Sequence, residues 1–167
     1  MIKLTIEKQY NMISTVLGLD KVHTEKLINE LNLLLANFQV YYQNLRGVHW
    51  NIKGKNFFEL HSKFEELYTD AQEKVDLIAE RILTLHGSPL HTFEEYIEFS
   101  KVKVGKQITN DEASVKLVVE SISELLKIER KILELSDEAN DEGTNSMMSD
   151  FISEQEKTLW MMNAWLS

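Results

Sequence analysis

A chain of 167 residues with one proline, six glycines and no cysteine is sized for a single domain and excludes both a disulfide framework and a thiolate metal site, so any metal must be held by His, Asp or Glu. Its net charge of −9 repels phosphate backbones and attracts cations, which disfavours nucleic acid as a default partner, although acidity can also serve solubility alone. The opening MIKLTIEKQYNMIS lacks the basic start and apolar block of a signal peptide, and no apolar run reaches membrane-spanning length, so a soluble cytoplasmic protein is expected.

Residues 1 to about 20 carry short apolar groupings, Ile13, Val16 and Leu17, that end at Gly18, the pattern of a short helix or ordered arm ahead of one bundle domain over 21–167. From Lys21 to Asn51, Leu27, Leu31, Leu34, Leu35, Phe38 and Leu45 step by threes and fours, which predicts a first long helix. Lys53, Gly54 and Lys55 break it. A second helix is predicted over 56–86 on Phe57, Leu60, Phe64, Leu67, Ala71, Ile78 and Ile82, closed by Gly87 after the last turn and Pro89 beyond. Thr92 with Glu95 reads as a capping box in front of a short helix. Thr109 with Glu112 reads as another, opening a third long helix that the segment 136–145 interrupts. A fourth, from about Thr144 to Leu166, completes an all-α four-helix bundle with a short extra helix between helices two and three.

A metal pair inside one bundle is commonly built from Glu-x-x-His motifs, and this chain has none. Attention moves to the second helix, where His61 with Glu65, and Asp76 with Glu80, are spaced i, i+4 and so share a face within each pair. At ~1.5 Å per residue His61 and Asp76 stand roughly 22 Å apart, too far to share an ion. Two copies of the helix crossing antiparallel about a two-fold axis would bring the pairs together, which points to a site between subunits. His49, at the end of the first helix, could return through the short connection to join His61. Two imidazoles with carboxylates suit Fe(II), Mn(II) or Zn(II). The bland alternatives stay open: Asp76 and Glu80 as part of a solvated acidic face, His49 as a buried histidine satisfied by backbone, and His86 as a cation at a helix C-terminus.

The text HWNIKGKNFFELHSKFEELY from His49 to Tyr68, continued by DLIAERILTLHGSPLHT from Asp76 to Thr92, resembles the Dps family, named for the DNA-binding protein from starved cells. The later ELSDEANDEGTN and EKTLWMMNAWL are similar to the family's last interhelical turn and last helix. The resemblance implies a ferritin-like mini-ferritin assembled as a hollow homo-dodecamer, a ferroxidase that oxidises Fe(II) with hydrogen peroxide at intersubunit di-iron sites, stores ferric mineral, and protects against oxidative stress without an organic cofactor. By position it implies His49, His61 and Glu65 from one subunit and Asp76 and Glu80 from its partner as metal ligands. Glu65 departs from the Asp of many members. Trp50 matches the family's tryptophan beside the site, a candidate electron donor or radical trap with packing as the simpler role. Asp137, Asp141 and Glu142 resemble an acidic pore lining, while Ser146 falls where an acid is common. The alternatives are a nucleoid or DNA-binding protective protein, disfavoured because Lys3 and Lys8 flank Glu7 rather than forming a basic tail, and a structural bundle with an inactive site.

Overall fold

Helix α1 spans Lys21–Asn51 and α2 spans Phe57–Thr84, followed by a short α3 (Phe93–Phe99), then α4 (Asp111–Glu138) and α5 (Glu142–Leu166). The computed structural model describes residues 17–167, so the N-terminal arm lies, up to residue 16, outside the described residues. Within that range the all-α bundle expected from the apolar periodicity is present. The one departure from helix pairing is an isolated parallel bridge between Lys53 and Asn110. Among the described residues no helix is long and apolar enough to cross a membrane.

Helix α1 is the central element because its apolar stripe, including Leu27, Leu31, Leu34, Leu35, Phe38 and Leu45, is almost wholly buried against α2, α4 and the short α3. Phe38 meets Phe151 of α5 edge-on with ring centroids 6.0 Å apart, so α1 also reaches the last helix. Asp20 caps α1 by accepting the His23 amide at 3.0 Å, and Thr92 and Glu95 form the capping box expected for α3.

Three helix ends differ in chemistry from the sequence reading. At the end of α2, His86 takes the left-handed conformation (φ 63°), and the Gly87 amide closes the turn on the Ile82 carbonyl. Gly87 is required for space instead, since a Cβ there would stand 2.6 Å from Ile28. Asn140 repeats the arrangement at the end of α4 (φ 54°). Helix α4 is capped not by Thr109 but by Asn110, whose side chain accepts the Ala113 amide at 2.9 Å. The interruption expected over 136–145 shrinks to the few residues between α4 and α5.

The long crossing from α2 to α4 has little secondary structure of its own, and a row of asparagines on α1 takes up its backbone groups. Asn32 accepts the Leu90 amide at 2.8 Å, Asn37 accepts those of Lys101 and Val102 at 2.8 and 2.9 Å, and Asn44 accepts that of Gly105 at 2.8 Å. Asn32 and Asn44 also donate to carbonyls of the same segment. Asn37 is fully buried.

Ion pairs tie α2 to α5 and to Asp141, the residue that caps it. Lys74, 4 % exposed, lies between Asp70 and Glu154 and over the Phe151 ring. Burial works against its charge, but the two carboxylates outweigh it and hold its pKa above the ordinary lysine value. Nearer the end of α2, Arg81 pairs with Asp141, while its Nε donates to Thr144 at 2.9 Å.

Replacing Asn37 with Ala should strand the Lys101 and Val102 amides and cost about 1–3 kcal/mol. Urea unfolding at fixed protein concentration should therefore show a lower midpoint; an unchanged midpoint would mean that the crossing is held without this side chain.

Candidate metal centre

The turn at residues 52–56, between α1 and α2, is fastened to the start of α4. The Lys53 amide donates to the Thr109 carbonyl at 2.8 Å, and Asn56 Nδ2 donates to Asp111 Oδ2 at 2.8 Å. Gly54 has φ +143°, and a Cβ on it would lie 2.2 Å from Asp111 Oδ1, so both backbone conformation and space require glycine here. The turn therefore has one position, and the residues on either side inherit it.

Those residues include His49 and His61. Their rings stack with centroids 3.8 Å apart and planes inclined by 19°. His49 Nδ1 lies 2.8 Å from the His61 carbonyl oxygen, and His61 Nδ1 lies 2.9 Å from that of His49. A carbonyl can only accept, so each Nδ1 must carry the proton. In the neutral ring the lone pair then sits on Nε2, and the two histidines fix each other's tautomer and orientation by a reciprocal exchange across the α1–α2 joint. His49 is buried and His61 half-buried. Phe57 stacks on the outer face of His61 with centroids 5.0 Å apart, and Tyr68 meets His49 edge-on at 5.3 Å.

Glu65 is exposed one turn beyond His61, and its Oε1 accepts the Tyr68 hydroxyl at 3.2 Å. Partial burial first, and then this hydrogen bond, raise the Tyr68 pKa above the ordinary phenol value, keeping it a donor. Tyr68 escaped the sequence reading although it stands seven residues after His61, a spacing that returns to the same helix face. Trp50 is 58 % exposed, with the Arg46 guanidinium 4.7 Å from its ring centroid; Arg46 also covers Tyr42 at 5.3 Å.

Asp76 and Glu80 are exposed further along α2. Among the described residues, no group of three or more His, Asp or Glu side chains within the chain is close enough to hold an ion. The structure thus joins His49 to His61, leaves Glu65 alongside, turned to Tyr68, and keeps Asp76 and Glu80 away from all three. The turn acids divide as well. Asp137 and Glu142 are exposed, whereas Asp141 is buried, its carboxylate accepting the Thr144 amide at 3.0 Å and the Thr144 hydroxyl at 2.6 Å besides pairing with Arg81. Opposed in sign, burial raises the Asp141 pKa, but Arg81 and Thr144 together prevail and lower it below the usual carboxylate value.

The two ring nitrogens left with lone pairs, beside a carboxylate, form a donor set suited to a borderline divalent cation. Several known proteins are similar to this chain. The family model for the ferritin-like domain matches residues 28–167. A "DNA protection during starvation protein" of Porphyromonas gingivalis is 41% identical over 153 residues, covering 92% of this chain and 96% of that protein. An uncharacterised Haemophilus influenzae protein is 47% identical over the same length. Among solved structures, a Dps protein from Vibrio cholerae O1, described as a member of a broad superfamily of ferritin-like diiron-carboxylate proteins, superposes with a TM-score of 0.87 at 53% identity, covering 89% of this chain and 94% of that one. A Dps protein from Bacillus brevis superposes with a TM-score of 0.85 at 35% identity, covering 89% of this chain and 99% of that one.

Gly54→Ala should destabilise the chain by roughly 1–3 kcal/mol through the strained backbone and the contact with Asp111. Combining it with Asp111→Ala should give less than the sum of the two single losses in a double-mutant cycle. Strict additivity would show that the turn and the start of α4 are not in contact.

Proposed function

The chain belongs to the Dps family of ferritin-like proteins, and from that premise we propose that it is an iron-binding protective protein whose subunits assemble into a hollow dodecamer, oxidise Fe(II) with hydrogen peroxide between subunits, and store the ferric product. The observation that carries the reading is the reciprocal His49–His61 pair, which presents two imidazole nitrogens but finds, among the described residues of its own chain, no third ligand beyond the adjacent Glu65. Antiparallel pairing of α2 about a two-fold axis supplies what is missing, bringing the partner subunit's Asp76 and the partner subunit's Glu80 to the imidazoles, and it does so twice per dimer.

In this arrangement iron is the substrate. His49 and His61 hold it through Nε2 with no reorganisation, because their Nδ1 protons are already committed. The carboxylates favour the ferric state, since a harder cation gains more from anionic oxygen, and so they assist electron loss. A pair of Fe(II) ions gives one electron each to a peroxide, whose O–O bond breaks, and hydrolysis of the ferric product releases protons to water. Consuming peroxide and ferrous iron together removes the reagents that would otherwise make hydroxyl radical. Glu65 accepts the Tyr68 hydroxyl through Oε1, which leaves Oε2 to serve as a ligand with that hydrogen-bond donor beside it. Trp50, exposed beside the joint, is the candidate electron donor when oxidant exceeds iron. Asp137 and Glu142 are the turn acids free to draw cations through a pore, and Asp141 secures the turn that carries them.

The relative's name speaks of DNA protection, and iron and peroxide removal achieves protection without contact. With a net charge of −9, the shell should not retard duplex DNA at neutral pH and physiological salt. Salt-sensitive retardation by metal-free protein would overturn that expectation.

His61→Ala and Asp76→Ala should each abolish fast peroxide-driven Fe(II) oxidation while leaving assembly intact. When the two variants are dissociated and reassembled together, about half of the dimers are mixed, each with one intact site of two, so activity should recover to about a quarter of wild type. A site built within one chain predicts no recovery.

A further inference from the structure

Away from the metal centre, α4 faces α5 through a polar pair in the bundle interior. Glu129 is 0 % exposed and Gln155 is 6 % exposed. Gln155 Nε2 donates to Glu129 Oε1, and this leaves one buried oxygen on each residue, Glu129 Oε2 and Gln155 Oε1, with no hydrogen-bond partner. Buried polar atoms are nearly always paired, so two orphans on partners already in contact call for one explanation. While Glu129 is ionised none is available, because a carboxylate oxygen and an amide oxygen are both acceptors.

One proton changes the count. A carboxylic acid offers a hydroxyl donor beside a carbonyl acceptor, the complement of an amide. We propose that Glu129 is a neutral acid in the folded subunit, its Oε2–H donating to Gln155 Oε1, so that acid and amide close a two-bond latch between α4 and α5 that opens when the proton leaves.

The surroundings favour the neutral form. From α1, the phenol of the buried Tyr41 faces Glu129, and from α2 come Asp70 and Lys74. The Lys74 ammonium is paired with Asp70 and with Glu154 of α5, so its pull on Glu129 is opposed by the repulsion of Asp70 beside it. Arg130, next to Glu129 on α4, is paired at the surface with Glu156. A cavity of about 310 Å³ lined by Tyr41, Asp70, Glu154 and Gln155 reaches the Gln155 side of the pair.

Burial pushes the Glu129 carboxyl from 4.5 up to about 7, against the Gln155 hydrogen bond and the Lys74 and Arg130 charges, which lower it. Since the folded-state value lies above the unfolded one, the proton's contribution to stability is complete below the unfolded value and is lost as pH rises through about 7. The latch holds in mildly acid conditions and loosens in alkaline ones. It shares no residue with the proposed iron ligands, so it stands or falls separately from them.

Infrared difference spectra of the assembled protein, wild type minus Glu129→Gln, test it. A protonated-carboxyl C=O stretch should be present at about pH 5.5, fall to half near pH 7, and shift in Gln155→Leu, which removes its hydrogen-bond partner. The thermal midpoint of wild type should also drop relative to Glu129→Gln by about 5 °C between roughly pH 5.5 and 8.5, because the amide isostere keeps both bonds at every pH. The proposal is overturned by absence of the stretch at about pH 5.5, by a stretch that Gln155→Leu leaves unmoved, by a midpoint difference that does not change with pH, or by a Glu129→Gln chain that cannot assemble.

Discussion

A straight α-helix advances ~1.5 Å per residue and does not bend back on itself, and this rigidity of α2 governs the proposed chemistry. His61 and Asp76 lie on one continuous helix, Phe57–Thr84, so no motion within a folded subunit brings them to a common ion. Half of the proposed ligand set therefore lies toward each end of the helix. If the chain is to bind iron with these residues, association is a condition of the chemistry rather than an addition to it. The same rigidity makes the geometry reproducible, because a single helix carries both halves.

What α2 alone cannot supply, the joint with α1 does. Two histidines from different helices hold each other by exchanging Nδ1–H bonds with each other's carbonyl groups, so the pair is a structural clasp and, in the proposed function, also a preset of two ligand atoms. The clasp works only because the turn between the helices is fixed, and the turn is fixed from outside by Asn110 and Asp111 at the start of α4. Stability and function are thus coupled through one short segment, with Gly54 at its tightest point. At the far end of α2 the same economy recurs, with Arg81 and Asp141 setting the angle at which α5 begins and leaving Asp137 and Glu142 in solvent.

Much of this was legible in the sequence because it follows from period. The apolar steps of α1 and α2 give their spans to within two or three residues, and the Thr92–Glu95 box was found by spacing. The return of His49 to His61 was readable from the short turn, but their mutual backbone bonds were not, since nothing in residue identity says which nitrogen is committed. Features that depend on partners distant in sequence stayed hidden. Asn32, Asn37 and Asn44 carry no spacing signal of their own, and only the position of the crossing segment shows what they accept. Asp141 looked like its acidic neighbours until Arg81, sixty residues earlier, buried it. Glu129 and Gln155 lie on separate helices with no spacing signature. At the end of α2 it is His86, not Gly87, that takes the left-handed conformation, while the glycine is needed because Ile28, on another helix, takes the space beside it.

The central claim, a metal site completed only by a second copy, is tested most directly by anomalous diffraction at the iron edge from crystals loaded anaerobically with Fe(II). The account predicts a peak within about 2–2.5 Å of His49 Nε2 or His61 Nε2 in one subunit and within the same reach of Asp76 or Glu80 in its two-fold partner. A peak whose protein ligands all belong to one subunit would contradict it.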